Sequence, residues 1–227
     1  MDIQLHYTEV GTGDPLILLH GNNEDSSYFV HQIEYFKSDY RVIAIDTRGH
    51  GKSPRGDAPF TIRQFADDLY VFMVEMGIET AHILGFSDGG NIALCFALKY
   101  PERVKSLILN GANLDPKGVR FFDQFPVEVG YRFAKIFVKR SVQQLKKTEM
   151  LGLMVNDPYI DSAELSAIDV PALVIVGQKD MIRSDHSLLI SQSLPKGEFV
   201  IIDGDHFCAL NNPKQFNEET RKFLLKI

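Results

Sequence analysis

Six short apolar segments, spread along most of the chain, limit the possible folds more than any other feature of the sequence. Each is too short to form a helix, and its apolar residues fall on both faces of an extended chain. Strands with this pattern are buried on both sides, as in a parallel sheet covered by helices. The segments are 16–19, 41–45, 82–84, 107–109, 173–176 and 199–202.

Amphipathic stretches between these segments predict helices. Thr61 is a suitable residue to cap the first of them, and Gly77 is a suitable residue to end it. The stretch 91–100 is apolar nearly all round, which is typical of a helix buried in the middle of a protein. Alternating strands and helices predict an α/β fold with a mostly parallel central sheet flanked by helices. The predicted helices are 61–76, 91–100, 187–194 and 213–225, and 1–10 is predicted as an antiparallel edge strand.

Residues 113–167 contain no strand pattern and interrupt this alternation. We predict a small helical cap here, inserted into one α/β core formed by 1–112 and 168–227. The cap phenylalanines are expected to pack onto the sheet or to line an apolar acyl pocket. Its basic residues are interpreted as a solvated helix face, or alternatively as a patch for a carboxylated substrate or an anionic surface. The cap residues in question are Phe121, Phe122, Phe125, Val129, Phe133, Ile136 and Phe137, and the basic Arg132, Lys135, Lys139, Arg140, Lys146 and Lys147.

Composition excludes several classes of function. The net charge is −6, with 24 Lys and Arg against 30 Asp and Glu, which argues against a nucleic-acid partner. Cys95 and Cys208 cannot form a disulfide framework and are expected to be reduced thiols of a cytoplasmic protein. The sequence has no signal-peptide pattern and no apolar run near the ~20 residues of a membrane span. No metal-ligand spacing or nucleotide motif is present, so neither a cofactor nor a metal is expected. The oligomeric state is left open.

The segment 85–90, Gly-Phe-Ser-Asp-Gly-Gly, follows a predicted strand and precedes the predicted buried helix. An abrupt strand-to-helix turn strains its central residue, and flanking glycines remove the clashes that would forbid it. Such a turn places the hydroxyl of Ser87 at a helix N-terminus, where free N–H groups favour developing negative charge. Ser87 is therefore the candidate nucleophile.

A serine nucleophile needs a base, and the base needs an acid to hold its tautomer. Among seven histidines, His206 is best placed, in a predicted loop after the last strand. Asp180 follows the preceding strand, at the carboxyl edge where open α/β sheets bind ligands. Asp203 and Asp205 are rival acids by proximity, but a carboxylate so close in the chain usually cannot reach the far ring nitrogen.

A tetrahedral intermediate also needs hydrogen-bond donors for its oxyanion. The backbone N–H of Asp88, directly after the nucleophile, is the first predicted donor. The second is expected from the loop that follows the first strand of the sheet. Its preferred donor is the N–H of Asn22, with Asn23 as the alternative. The side chain of Asp88 is expected only to complement the helix dipole.

These motifs resemble the α/β-hydrolase superfamily, specifically its serine hydrolases with a helical cap. They occur in the order of that family and extend over essentially the whole chain. The resemblance implies an α/β-hydrolase fold, a catalytic triad of Ser87, Asp180 and His206, and no cofactor. It also implies that Arg48 and His50 belong to the scaffold. The matching motifs are His20-Gly21, 46–53, the turn at 85–90, 177–180 and 204–206.

The expected function is that of a cofactor-independent, carboxylesterase-like hydrolase. It would cleave a small carboxylic ester or a related acyl compound through an acyl-enzyme on Ser87. One alternative is a carbon–carbon bond hydrolase or lyase that acts on a keto acid. Another is a hydrolase-like ligand receptor with slow turnover. Haloalkane dehalogenases and epoxide hydrolases of this fold use an aspartate nucleophile and are excluded, because residue 87 is serine.

Overall fold

A seven-stranded sheet forms the centre of the computed structural model, which describes residues 2–137 and 141–227. The strands form at the predicted apolar segments because each segment buries side chains on both faces. They are β1 (Tyr7–Val10), β2 (Asp14–Leu19), β3 (Tyr40–Ile45), β4 (Ala81–Phe86), β5 (Val104–Asn110), β6 (Ala172–Lys179) and β7 (Gly197–Asp205).

The strand order is β1-β3-β2-β4-β5-β6-β7, with β4 at the centre. Strands β2 to β7 pair in parallel, and β1 is an antiparallel edge strand on β3. The predicted fold class is therefore confirmed. Strand β1 is shorter than the predicted segment 1–10, since of the described residues 2–10 only 7–10 form the strand. Leu19 pairs with Gly85, so the carboxyl ends of β2 and β4 lie side by side.

Helices cover both faces of the sheet. The four predicted helices form within a few residues of their expected bounds, and the Thr61 side chain caps the first by accepting from Gln64 N at 3.2 Å. Two short helices were not predicted, because a few residues are too few to show a helical period. The helices are α1 (Val30–Phe36), α2 (Ile62–Glu75), α3 (Asp88–Lys99), α4 (Phe121–Phe137), α5 (Val142–Asn156), α6 (Ser184–Ser193), α7 (Cys208–Asn211) and α8 (Pro213–Leu224).

Two apolar clusters, one on each face of the sheet, form the core. Successive residues of β2 contribute to opposite clusters. Ile17 and Leu19 belong to the cluster with α2, α3 and α6. Leu16 and Leu18 belong to the cluster with α1, α7 and α8. This arrangement explains why the strands lack a polar face.

Arg48 is a fully buried cation in the loop after β3. Its guanidinium donates to both carboxylate oxygens of Asp68, each at 2.7 Å, and to Asp2 at 2.6 and 3.0 Å. In the same loop, Asp46 accepts from the backbone N–H groups of Ser26 and Lys52, each at 2.8 Å. These contacts fix the loop beside the sheet.

Helices α4 and α5 lie between β5 and β6 and pack against each other. The expectation for the cap phenylalanines is wrong at four positions, where more than half of each side chain is exposed. Helix α4 instead buries Gln124 and Ala134, on its opposite side. Lys139 and Arg140 lie outside the described residues, as does the side chain of Phe137. The exposed phenylalanines are Phe121, Phe122, Phe125 and Phe133.

Within the described ranges, no helix is both long and apolar enough to cross a bilayer.

Candidate active site

Ser87 stands at the turn between β4 and α3, with φ 52° and ψ −119°. A non-glycine residue in this left-handed region is strained and persists only where its surroundings hold it. Ser87 N donates to Asn110 O of β5 at 2.8 Å, which helps to hold the turn. A Cβ at Gly85 would lie 2.3 Å from Gly89 O, and one at Gly89 would lie 1.9 Å from Leu19 O. Glycine is therefore required on both sides of the serine.

His206 brings the three predicted triad side chains together. Its Nε2 lies 3.0 Å from Ser87 Oγ, and its Nδ1 lies 2.7 Å from Asp180 Oδ1. With the Nδ1 proton donated to Asp180, Nε2 is free to accept the proton of the serine hydroxyl. His206 and Asp180 are both buried, which shields the hydrogen bond between them from water.

The rival acids occupy other positions. Strand β7 continues through Asp205, so the predicted loop before His206 is strand instead. Asp205 Oδ1 accepts a hydrogen bond of 2.9 Å from the backbone N–H of Phe207, the residue that follows His206. Strand β7 pairs with β6 as far as Lys179, which lies opposite Asp205. This pairing brings together Asp180 and His206, the residues that follow the two strands.

The predicted oxyanion donors lie in adjacent loops. Asn22 follows β2, Asp88 begins α3, and Asn22 lines the same cavity as Ser87. Across residues 2–137 and 141–227, the N–H groups of Asn22 and Asp88 have no hydrogen-bond partner. Asn23 has a φ of 61°. Neither of the two preferred N–H groups is therefore occupied by another group of the described residues.

The side chain of Asp88 has more contacts than a dipole-complementing acid requires. Asn22 Nδ2 donates to Asp88 Oδ2 at 2.9 Å and also to Met150 O of α5 at 2.9 Å. Burial raises the pKa of Asp88 to about 6, against the opposing effect of the Asn22 and Asn91 amides. No pattern in the sequence indicated this hydrogen-bonded link from the turn at Ser87 to α5.

His20 fixes the loop that carries Asn22. Its Nδ1 donates to Gly21 O at 2.7 Å, and its Nε2 accepts from Thr47 N at 3.0 Å. Burial lowers the pKa of His20 and favours the neutral ring that these two hydrogen bonds require. His20 therefore positions the loop without facing the cavity.

Two residues of the site were missed by sequence reasoning. Gly111 has φ +63°, and a Cβ there would lie 2.7 Å from His206 Cε1, so glycine leaves room for the imidazole. Glu24 lines the cavity, and burial raises its pKa to about 7, with the charge of His206 acting in the opposite direction. A glycine after a strand was a weak signal for the first, and no sequence signal pointed to the second.

A cavity of about 720 Å³ opens at Ser87. Its cap wall comes from α5, and the exposed phenylalanines of α4 do not line it. This wall carries a glutamine and two lysines in the first half of α5 and apolar side chains in its second half. The residues from α5 and its neighbours are Gln143, Lys146, Lys147, Met150, Leu151 and Met154, and those from the core include Phe86, Met181 and Phe207.

Neither cysteine contributes a reactive thiol to this site. Both are free and buried. Burial raises the pKa of Cys208 to about 12 and that of Cys95 to about 11, so both thiols stay protonated. In the described part of the chain, no group of three His, Cys, Asp or Glu side chains is arranged to hold a metal ion.

Comparison with known proteins identifies relatives along the whole chain. Residues 14–140 match the family model described as alpha/beta hydrolase fold. The chain is 26% identical to a 2-hydroxy-6-oxononadienedioate/2-hydroxy-6-oxononatrienedioate hydrolase of Paraburkholderia phymatum, over 98% of this chain and 91% of that protein. It is 25% identical to the (E)-2-((N-methylformamido)methylene)succinate hydrolase of Acinetobacter baylyi, over 96% of this chain and 93% of that protein.

A solved structure agrees with this result. The thermophilic esterase from Thermogutta terrifontis superimposes with a TM-score of 0.82 at 26% identity, covering 99% of this chain and 94% of the esterase. The matched family model spans more than half of the chain. The protein is therefore an enzyme that belongs to the α/β-hydrolase fold family.

Proposed function

We propose that the protein is a cofactor-independent serine hydrolase that cleaves a small carboxylic ester or a related acyl compound. The observation that carries this proposal is the continuous hydrogen-bonded chain from Ser87 Oγ through the His206 ring to Asp180, at 3.0 and 2.7 Å. This chain has the geometry that a serine needs to become a nucleophile near neutral pH.

In the acylation step, Ser87 Oγ attacks the carbonyl carbon while its proton passes to His206 Nε2. Asp180 stabilises the imidazolium, and the N–H groups of Asn22 and Asp88 donate to the oxyanion. The carbon–oxygen bond to the leaving alcohol then breaks, and the alcohol takes the proton from His206. The acyl group is left esterified to Ser87.

Deacylation repeats these steps with water as the nucleophile. His206 Nε2 removes a proton from water as the oxygen attacks the acyl carbon. The bond to Ser87 Oγ breaks, and the serine recovers its proton from His206. The products are a carboxylic acid and the free enzyme, so no cofactor or redox partner is required.

Residues 113–167 are proposed to act as the cap that selects the acyl group. Met150, Leu151 and Met154 give the cavity an apolar wall suited to an aliphatic or aryl acyl chain. The volume of about 720 Å³ fits a small-molecule substrate.

The test is a panel of p-nitrophenyl esters and a fluorophosphonate probe, applied to the wild type and to variants. Ser87→Ala should lower kcat at least about 10⁴-fold and abolish labelling, and Asp180→Asn should lower kcat about 10³- to 10⁴-fold. Ser27→Ala, at an exposed serine, and Asp205→Asn, at the rival acid, are the matched controls. Full activity of Ser87→Ala on the esters would refute the mechanism.

A second candidate is hydrolysis of a carbon–carbon bond next to a ketone. The relative from Paraburkholderia phymatum is named for an oxo-dicarboxylate substrate, and Lys146 and Lys147 place two cations in the cavity that could pair with a carboxylate. Faster turnover of keto acids than of esters, still dependent on Ser87, would favour this candidate. Tight binding of either compound without turnover would favour a receptor instead.

A further inference from the structure

Helix α4 has an apolar stripe on its solvent side. Phe122, Phe125, Val129, Phe133 and Ile136 follow one another at intervals of three and four residues, so they share one face of the helix. Four of them are largely exposed: Phe122 to 88%, Phe125 to 52%, Phe133 to 62% and Ile136 to 70%. From first to last residue, the stripe is about 21 Å long.

The core of the protein does not account for this stripe. Helix α4 packs on α5 and buries Gln124 and Ala134, which lie on the side opposite the stripe. The ring of Phe121 lies 5.6 Å from those of Phe122 and Phe125, which widens the apolar surface at the start of the helix. Contiguous exposed apolar surface of this kind marks an interaction site.

The charge around the stripe indicates the chemistry of its partner. In the sequence, segment 120–140, which contains α4, has five Lys or Arg and two Asp or Glu, a net charge of 5 − 2 = +3, although the whole chain carries −6. Arg132 lies beside the stripe, seven residues after Phe125, and both Arg132 and Lys135 of α4 are exposed. The partner should therefore be both negatively charged and able to receive phenylalanine side chains.

A second copy of the chain meets these requirements less well than a lipid surface. A two-fold contact through the stripe would place the same positive charges opposite each other. An anionic bilayer offers negative headgroups to the cations and an acyl layer to the aromatic rings. We propose that α4 is an interfacial helix that docks the protein on an anionic lipid surface through Phe122, Phe125, Phe133 and Ile136.

Docking would also bring the lipid close to the active site, because the docking helix packs on the cap helix that forms part of the wall of the site. Helix α4 packs on α5, and α5 forms the cap wall of the cavity at Ser87. An acyl compound dissolved in the lipid would thus be close to the cavity. The docking proposal does not depend on the proposed chemistry, because Ser87 lies in the cavity and not on the stripe.

Flotation of the full-length protein with vesicles tests the proposal. The wild type and Ser87→Ala should both bind vesicles of phosphatidylcholine with about a third phosphatidylglycerol, and bind pure phosphatidylcholine at least about tenfold more weakly. The double variant Phe122→Ser/Phe125→Ser should reduce binding at least about tenfold. Val74→Ser, at an exposed apolar residue of α2, is the matched control and should bind like the wild type.

A second variant distinguishes a specific loss of vesicle binding from misfolding of the phenylalanine variant. Arg132→Glu/Lys135→Glu leaves the stripe intact and should weaken binding to the anionic vesicles, as should salt at about 0.5 M. The stripe, charge and Val74→Ser variants should hydrolyse a soluble short-chain ester at the wild-type rate, whereas Ser87→Ala should bind vesicles without hydrolysing it. Absence of binding to anionic vesicles, or equal binding by the wild type and the phenylalanine variant, would overturn the proposal. So would a lipid-free dimer that this variant abolishes, because the stripe would then belong to a second copy.

Discussion

The side chain of Asn22 donates a hydrogen bond of 2.9 Å to the carboxylate of Asp88. The two residues whose N–H groups are proposed to hold the oxyanion are therefore joined to each other through their side chains. The same amide donates to Met150 O. The geometry of the proposed oxyanion site is thus expected to depend on the position of the cap helix α5.

Asn22→Ala should lower kcat about tenfold to a hundredfold on p-nitrophenyl esters, with a smaller change in KM. The backbone donor remains, but the loop loses the two side-chain hydrogen bonds that orient it. Steady-state kinetics measure the effect, and Asn156→Ala, at an exposed asparagine of α5, serves as the control. An unchanged kcat would show that the side chain does not position the donor.

Asp88→Asn should change how stability depends on pH. Burial raises the pKa of Asp88 from 3.8 to about 6, so the folded state favours the protonated acid. The stability from this group is complete below about pH 4 and is lost as the pH rises through 6. The asparagine of the variant does not titrate. The difference in free energy of unfolding, variant minus wild type, should therefore increase by up to about 3 kcal/mol between pH 4 and 7.

Urea unfolding at several pH values measures this difference. Asp157 must be considered as well, because burial and then the charge of Asp88 raise its pKa to about 6. Asp57→Asn, at an exposed aspartate, should show no such trend. A pH-independent difference between the wild type and Asp88→Asn would contradict the expected titration.

Glu24→Gln should alter the pH profile of hydrolysis. The pKa of Glu24 is about 7, so the carboxylate becomes charged as the pH rises through neutrality. That negative charge, close to His206, favours the imidazolium that forms in the transition state. The ratio of wild-type to variant kcat/KM should therefore rise about threefold to tenfold from pH 6 to 8.

Other charges face Glu24, namely His206, Asp25 and the cavity lysines of α5. Each is common to the wild type and Glu24→Gln, so the ratio isolates the titration of Glu24. Glu34→Gln, at an exposed glutamate of α1, is the control. A ratio that stays constant over this range would exclude an electrostatic role for Glu24.

Arg48→Ala should destabilise the fold by about 3–5 kcal/mol, because it leaves the buried carboxylate of Asp68 without its partner. The control is Arg41→Ala, which removes a more exposed ion pair with Glu9 and should cost less than about 1 kcal/mol. Chemical denaturation of the two variants in parallel measures both values. Similar losses for the two variants would show that burial of the Arg48 pair does not matter.

Sequence patterns were sufficient for the sheet and the turn at Ser87, because those depend on local physical constraints. Apolar segments of strand length require two covered faces, and Gly85 and Gly89 meet backbone atoms at 2.3 and 1.9 Å. The placement of Asp180 and His206 follows from a simple rule, that parallel strands end at one edge of the sheet.

Properties that depend on distant surroundings could not be predicted in this way. The raised pKa of Glu24 results mainly from burial, in a cavity whose wall includes residues of the distant helix α5. The phenylalanines of α4 show the same limit. Helical spacing indicates that they share a face, but the pattern is identical whether that face meets the sheet or a partner outside the chain.

Strand β7 lies at an edge of the sheet and, among the described residues, pairs only with β6. It ends directly before His206, so the imidazole is attached to a strand that is restrained on one side, whereas Ser87 follows the central strand. If β7 separated from β6, the imidazole of His206 would move away from the hydroxyl of Ser87 while the interior strands remained paired. On heating, activity would then be lost before the fold as a whole unfolds, because His206 and Ser87 would no longer be aligned.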